Sequence, residues 1–142
     1  MSFISLDRSR RGPLAATPDI FEAAKVVELV CHLKLDVELT ARRCLPVLFG
    51  QSVSDETKKE TERDLAKGMK AVSRLFVCDP YAAGKEITLA DFYTFYTFGL
   101  ANTLSQKLFE KDLLADHSDI QALVNSLATH PSIAKVEGEK AS

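Results

Sequence analysis

The sequence predicts an all-α helical bundle of about five to six helices around a buried central helix near residues 88–102. Apolar residues recur at three- and four-residue steps in several segments, the spacing of one buried helix face. Helix-start signals precede three of these segments, at Thr17, Ser54 and Thr88. No segment alternates apolar and polar residues between hairpin turns, so paired strands are not expected.

The composition and net charge indicate one globular domain and argue against nucleic acid or a membrane as partner. The 142 residues are 46% hydrophobic and 27% charged, which fits one globular domain. The net charge of -2 gives no excess positive field to attract nucleic acid or an anionic membrane. Apolar runs stay far below the roughly 18 residues that span a bilayer, and Asp7 with Arg8 interrupts any signal-like N-terminus. We therefore expect a cytoplasmic protein with neither nucleic acid nor membrane as partner.

The first helix is predicted to begin at Thr17-Pro18-Asp19, where Thr caps free amides and Pro suits the first helical position. Residues 1–16 have the composition of a linker that follows the remnant of a preceding helix, which places the domain at residues 17–142. Pro46 is expected to kink or end the helix. Its buried stripe is predicted to be Val26, Val30, Leu33, Val37, Ala41, Cys44 and Leu48.

Two further sets of residues lie beside this stripe. The apolar set exceeds what one core requires, which predicts self-association; it comprises Val27, Leu29, Leu35 and Leu45. The polar set forms one edge of the helix and comprises His32, Asp36, Thr40 and Arg43.

The second helix is predicted to start after Ser54 and to bury Leu65, Met69, Val72 and Phe76. Gly68 lies inside it, and either a close packing contact or simple tolerance would explain a glycine there.

The segment around residue 88 is the most informative in the chain. Thr88 and Asp91 have the spacing of a capping box, in which each side chain bonds the other's backbone amide, and Ile87 with Phe92 can form the hydrophobic staple. The cap outweighs the strand propensity of the aromatic residues that follow it. Because the helix is apolar nearly all round, we expect it at the centre of the domain.

The C-terminal third is predicted to hold three shorter helical stretches. The first spans Ser105 to Asp116, the second starts near Ser118, and the third opens at Pro131. Metal binding is not expected, because no two of the three histidines share a helical face at ligand spacing. The three cysteines have no Cys-x-x-Cys spacing, so we expect reduced thiols, with Cys44 in the core.

An ordered set of motifs resembles the cytosolic glutathione S-transferases. The run from Ala83 to Phe92, AGKEITLADF, resembles their AG-x-x-ITLAD signature at the entry to the central helix of the C-terminal all-α domain. The run from Gly12 to Leu14 is similar to the interdomain linker, and that from Thr129 to Ile133 resembles the turn before the final helix. The run from Phe3 to Asp7 resembles the tail of the N-terminal domain, so the resemblance covers essentially the whole chain.

The same resemblance sets limits on function. Family members activate glutathione with a catalytic Tyr, Ser or Cys in an N-terminal thioredoxin-like domain, and this chain contains no match to that domain. No catalytic residue is therefore assigned, and the chain alone is expected to bind no cofactor. The resemblance makes glutathione the co-substrate of the intact protein, with a hydrophobic electrophile as its partner in detoxification.

The resemblance also implies roles for surfaces of this domain. The polar edge of His32, Asp36, Thr40 and Arg43 matches the stretch that faces the electrophile in many members, although some bacterial members have His where this chain has Thr40. The alternative is that these residues form a solvated helix flank. The first two helices would contribute to a homodimer interface. The alternative function is a non-catalytic module that joins protein partners, and the sequence encoded upstream would distinguish the two.

Overall fold

Every regular element in the described part of the chain is a helix, as predicted. The computed structural model describes the backbone of residues 13–141 and the side chains of residues 20–139. The predicted helix remnant and most of the predicted linker, residues 1–12, lie outside the described residues. In chain order the elements are α1 (Pro13–His32), a π-helical turn (Leu33–Glu38), α2 (Leu39–Arg42), a 3-10 turn (Leu45–Phe49), α3 (Asp55–Ser73), α4 (Leu89–Phe109), α5 (Ser118–Ala128) and α6 (Pro131–Ala141).

The first helix begins earlier than predicted. It starts at Pro13, so residues 13–16 are helical and the predicted cap at Thr17 is wrong. Proline is favoured at a first helical position, because its fixed φ suits the helix and the amide hydrogen that it lacks has no helical partner there.

A π-helical turn interrupts this first helix and was not predicted. The amide of Leu39 donates to the carbonyl of Lys34, five residues back, as a π turn requires. The wider turn keeps side chains at four-residue steps on one face, whereas an α-helix would rotate them away. Leu29, one turn before Leu33, lies in the core at 1% exposure, so the prediction that it lies outside the buried stripe is wrong.

Helix α3 has the predicted cap and buried face. The Ser54 hydroxyl accepts a hydrogen bond from the Thr57 amide at 3.1 Å. Leu65, Met69 and Val72 are buried, and the predicted Phe76 is also in the core but lies beyond the end of the helix at Ser73. Gly68 packs directly on the π turn: a Cβ built there would lie 2.9 Å from the carbonyl carbon of Asp36 and still closer to its oxygen. A close packing contact, rather than tolerance, accounts for this glycine.

Helix α4 is the predicted central helix. It packs against α1, the π turn, α2, α3, the 3-10 turn and α5. It is not buried all round, however, because Leu89 is 58% exposed and the aromatic side chains Phe92, Tyr93 and Phe95 are only partly buried against the core. Its buried face carries mostly small side chains, which allow close approach of the neighbouring elements: Ala90, Asp91, Thr94, Thr97, Phe98, Ala101, Leu104 and Ser105.

The capping box at the start of α4 ties two loops together. Asp91 accepts hydrogen bonds from the amide of Thr88 at 2.8 Å and from the amide of Ala82 at 2.9 Å. The Thr88 hydroxyl accepts a bond from the Ala90 amide at 3.2 Å. Ile87 and Phe92 are partly buried against the core. The staple contact between them stays a prediction.

The helical stretch predicted from Ser105 to Asp116 is wrong. Residues up to Phe109 belong to α4, which ends at Glu110 with a left-handed φ of 53°. The chain then folds back along α4: the Ser105 hydroxyl donates to the Lys111 carbonyl at 2.9 Å, and the Asn102 side chain accepts from the Leu113 amide at 2.8 Å. These side-chain bonds satisfy the backbone of a loop in place of a helix.

The last two helices match their predictions. Helix α5 starts at Ser118 and buries Ile120, Leu123 and Leu127. Helix α6 starts at Pro131, and Ile133 is fully buried.

Candidate functional site

The predicted polar edge borders a groove between α3 and the continuation of α1 through the π turn and α2, and we call it the α1–α3 groove. Its volume is about 370 Å³. One wall carries Leu35, Asp36, Thr40 and Arg43. The other wall, from α3, carries Asp64, Lys67, Gly68 and Ala71.

The four predicted site residues are not equivalent in this groove. Asp36, Thr40 and Arg43 line it, whereas His32 lies one turn away and reaches it through Asp36. The His32 Nδ1 atom lies 2.6 Å from Asp36 Oδ2, a bond in which the imidazole donates because an ionised carboxylate only accepts. Thr40 is 5% exposed, so it is not part of a solvated flank.

A charged pair bridges the two walls of the groove. Arg43 donates to Asp64 Oδ2 at 2.6 Å across the two helices. The hydrogen bond and the positive charge of the Arg43 guanidinium lower the pKa of the Asp64 carboxyl from its ordinary value. This carboxylate is therefore ionised at neutral pH and holds the guanidinium in place.

The contributions from α3 were missed in the sequence. Asp64 and Lys67 lie in a stretch of α3 whose charges are typical of a solvated helix face, and hydrophobic periodicity does not report which helices become neighbours. Gly68 was the one available signal, because a glycine in a helix interior indicates close approach of another backbone.

The groove suits binding and orientation of a small molecule. It combines the apolar Leu35 with a hydroxyl and with charged groups of both signs. None of its lining residues is Cys, Ser or Tyr. Within the described part of the chain, no group of three or more His, Cys, Asp and Glu side chains could hold a metal ion.

A second and larger groove, of about 690 Å³, lies between α1 and the loop that precedes α4. We call it the α1–loop groove. Residues 22–26 of α1 form one side, and residues 77–88 form the other. None of the four predicted polar-edge residues lines it.

The cysteines differ in accessibility. Cys44 is fully buried, as predicted, Cys31 is exposed and Cys78 is partly buried. Burial, followed by the negative charges of Asp119 and Asp91, raises the pKa of the Cys78 thiol to about 11. The thiolate is the reactive form, so Cys78 is a poor nucleophile at neutral pH.

Alkylation with iodoacetamide should therefore modify Cys31 first. For Cys78, the rate should still rise about tenfold per pH unit between about pH 8 and pH 10, because the thiolate fraction grows until pH reaches the thiol pKa. Mass spectrometry of timed digests measures both rates, with a Cys31→Ser variant to isolate Cys78. A Cys78 rate that levels off near pH 8 would contradict the raised pKa.

Among the described residues, no helix is both long and apolar enough to cross a membrane.

Comparison with known proteins places these features in context. The sequence model of a family described as "Glutathione S-transferase, C-terminal domain" matches residues 42–138. A relative described as "Glutathione S-transferase", from Pseudomonas putida, is 33% identical over 136 residues. That alignment covers 95% of this chain, and the chain spans 62% of the length of the relative.

Proposed function

The chain belongs to the glutathione S-transferase family, whose C-terminal domain it matches, and on that basis we propose that it supplies part of the electrophile pocket to a protein that conjugates glutathione. In this proposal the catalytic residue belongs to the N-terminal domain of the intact protein, as the family resemblance implies, so the chain alone would not be competent. Glutathione is the co-substrate of the intact protein and is held outside this domain. The observation that carries the proposal is the α1–α3 groove, in which three predicted polar-edge residues meet.

The groove would orient the electrophile rather than activate it. His32, one turn earlier in the chain, holds the Asp36 carboxylate, and Asp64 on α3 holds the Arg43 guanidinium. Groups held in this way can bond a polar substituent of the electrophile while Leu35 contacts its apolar part. Positioning of one reactant next to another contributes to rate by raising their effective concentration.

The intact protein, expressed from its complete native reading frame, tests this role. We expect a double variant, His32→Gln with Asp36→Asn, to raise the KM for chlorodinitrobenzene about fivefold. Loss of one hydrogen bond to the electrophile, worth about 1 kcal/mol, has this effect on binding. The KM for glutathione should not change. Initial rates at varied concentrations of each substrate give both constants.

Glu60→Gln on the exposed surface of α3 is the matched control, since it also removes one charge and lies outside the groove. An unchanged KM for the electrophile in the double variant would place the pocket elsewhere. An intact wild-type protein without conjugating activity would overturn the proposed function itself.

The homodimer is the second part of the proposal. Val27, Leu35 and Leu39 are 60%, 61% and 45% exposed along one side of the first helix. Exposed apolar side chains in a row are typical of an association surface. Leu35 also borders the α1–α3 groove, so the interface and the pocket would adjoin.

A double variant, Val27→Asp with Leu39→Asp, should dissociate the dimer. Each substitution acts on both sides of a two-fold interface, so four carboxylates would lose their hydration there. We expect sedimentation equilibrium to give a dimer for the wild type and a monomer for the variant. Phe49→Asp is the control, because Phe49 is 74% exposed outside this row. A variant that sediments like the wild type would contradict this interface.

A further inference from the structure

Two polar groups of the α1–α3 groove have no partner among the described residues, whereas its carboxylates do. Asp36 lies 2.6 Å from the His32 imidazole, and Asp64 accepts a hydrogen bond at 2.6 Å from the other wall. The unpartnered groups are the hydroxyl of Thr40 and the ammonium group of Lys67, one on each wall. They indicate the kind of substituent that the groove would select in an electrophile.

The Thr40 hydroxyl is largely withdrawn from solvent and yet faces no protein partner. Thr40 is 5% exposed and lines the groove. No hydrogen bond joins its side chain to any described residue, whereas the Thr94 hydroxyl donates to the Ala90 carbonyl one turn earlier in its helix. Among the described side chains, the fully inaccessible oxygen that lacks a partner is that of Thr97, so the Thr40 oxygen is reached from the groove. A hydroxyl in this position can donate to a bound group.

The Lys67 ammonium group is the second free group. Lys67 is exposed at the groove, and no carboxylate in the described part of the chain lies within salt-bridge distance of it. Arg43, in contrast, already donates to Asp64. An ammonium group has three donors and no acceptor, and its hydrogen bond to an anion is stronger than its bond to a neutral acceptor.

The two free groups are placed to act together. Two contacts join the walls of the groove: the bond from Arg43 to Asp64 and the close approach of Gly68 to the π turn. Thr40 precedes the first contact and follows the second along one wall, and Lys67 lies between the same two contacts on the other wall. One bound group can therefore reach both.

We propose that the α1–α3 groove selects electrophiles that carry a carboxylate. The carboxylate bonds the Lys67 ammonium group and the Thr40 hydroxyl, and the apolar ring lies against Leu35 and Ala71. An ionised carboxylate only accepts hydrogen bonds, whereas both free groups donate them. It also supplies the anion that Lys67 lacks. This substrate class rests on the proposed function, because the electrophile site is the same groove.

Binding to the intact protein tests the carboxylate site without any reaction. Dinitrobenzoate and dinitrobenzamide share a ring, have no leaving group and differ in charge, and isothermal titration gives their Kd values. We expect Lys67→Met to raise the Kd of the acid about tenfold, as for loss of one charge-assisted bond, and to leave that of the amide within about twofold. Thr40→Val keeps the side-chain shape and should raise the Kd of the acid about threefold.

Lys70→Met is the matched control. Lys70 is another exposed cation of α3 with no carboxylate within salt-bridge distance among the described residues, but it does not line the groove. The acid should bind this variant and the wild type equally. Equal changes in Kd for the acid and the amide in Lys67→Met, or no change for either, would overturn the carboxylate site. Tighter binding of dinitrobenzylamine than of dinitrobenzoate would also overturn it, because Asp36 or Asp64 would then face the ligand.

Conjugation separates the carboxylate site from the proposed function. With chlorodinitrobenzoate, the glutathione sulfur bonds the ring carbon that carries chlorine, chloride leaves with the bonding electron pair, and the thiol proton passes to water. We expect a lower KM for chlorodinitrobenzoate than for chlorodinitrobenzene, and Lys67→Met should remove the difference. Conjugation of both compounds with no effect of Lys67→Met would overturn the carboxylate site alone. An intact protein that binds dinitrobenzoate through Lys67 and conjugates neither compound would overturn the proposed function but not the carboxylate site.

Discussion

Replacement of Gly68 by alanine should lower the free energy of unfolding by about 1–3 kcal/mol, the range for an overpacked core. The added methyl group would lie 2.9 Å from the carbonyl carbon of Asp36 and closer still to its oxygen. Both atoms belong to the backbone of the π turn, so no side-chain rotation relieves the clash. Helix α3 or the π turn must move, and the packing between these two elements would loosen.

Gly99→Ala is the matched control, because it adds the same methyl group to the interior of another helix. A Cβ at Gly99 meets no atom within 4 Å. There alanine should raise stability by up to about 1 kcal/mol, since it restricts the unfolded chain. Urea unfolding followed by circular dichroism compares the two variants. If both changed stability in the same direction, close packing of Gly68 would not be the reason for its presence.

Gly68→Ala should also disturb the α1–α3 groove. Gly68 and Asp36 both line it, so a shift of either backbone moves the carboxylate that His32 bonds. Stability and the geometry of the candidate groove therefore share one contact between helices. Helical spacing in the sequence indicates that Asp36 belongs to a polar edge. The position of its carboxylate depends on the contact with Gly68 of another helix, which the sequence does not show.

Local signals in this sequence were sufficient for most of the fold. The Ser54 cap, the Thr88–Asp91 box and the helix start at Pro131 each depend on residues within one or two turns of each other. Such interactions are visible in sequence because their partners are close in the chain. The order of helices followed from them directly.

The errors have a common physical origin in longer-range packing. Leu29 is buried in the core formed by several helices, and the unpredicted π turn packs against Gly68 on a different helix. The loop after Phe109 forms because Asn102 and Ser105 bond a returning backbone. Periodicity within one segment contains no information on either event.

The candidate site also divides into features that local sequence signals predict and features that depend on longer-range packing. His32, Asp36, Thr40 and Arg43 could be grouped from helical spacing alone. Which of them line a groove depends on the packing of α3. Its Asp64 accepts a hydrogen bond from Arg43, which lies 21 positions earlier in the sequence. The burial of Thr40 likewise results from tertiary packing, since its neighbours in sequence include exposed residues on both sides.

The Asp91 carboxylate offers the largest expected loss of stability. It is fully buried and accepts two backbone amides, from Thr88 and from Ala82. Asp91→Ala leaves both donors without a partner, and Ala82 is itself fully buried. Loss of a helix cap together with an unsatisfied buried amide should lower the free energy of unfolding by about 2–4 kcal/mol.

Two further variants separate the causes of this loss. Ser54→Ala removes a solvent-exposed cap whose hydroxyl accepts one backbone amide, that of Thr57, and should lose only about 1 kcal/mol. Asp91→Asn keeps the shape but has one accepting oxygen, so its amide group faces one of the two donors and the loss should be intermediate. Urea unfolding ranks the three variants, and exchange of the Ala82 amide reports the bond to the loop. If Asp91→Ala lost no more than Ser54→Ala, the carboxylate would act as an ordinary cap, and its bond to Ala82 would not hold the 77–88 loop against α4.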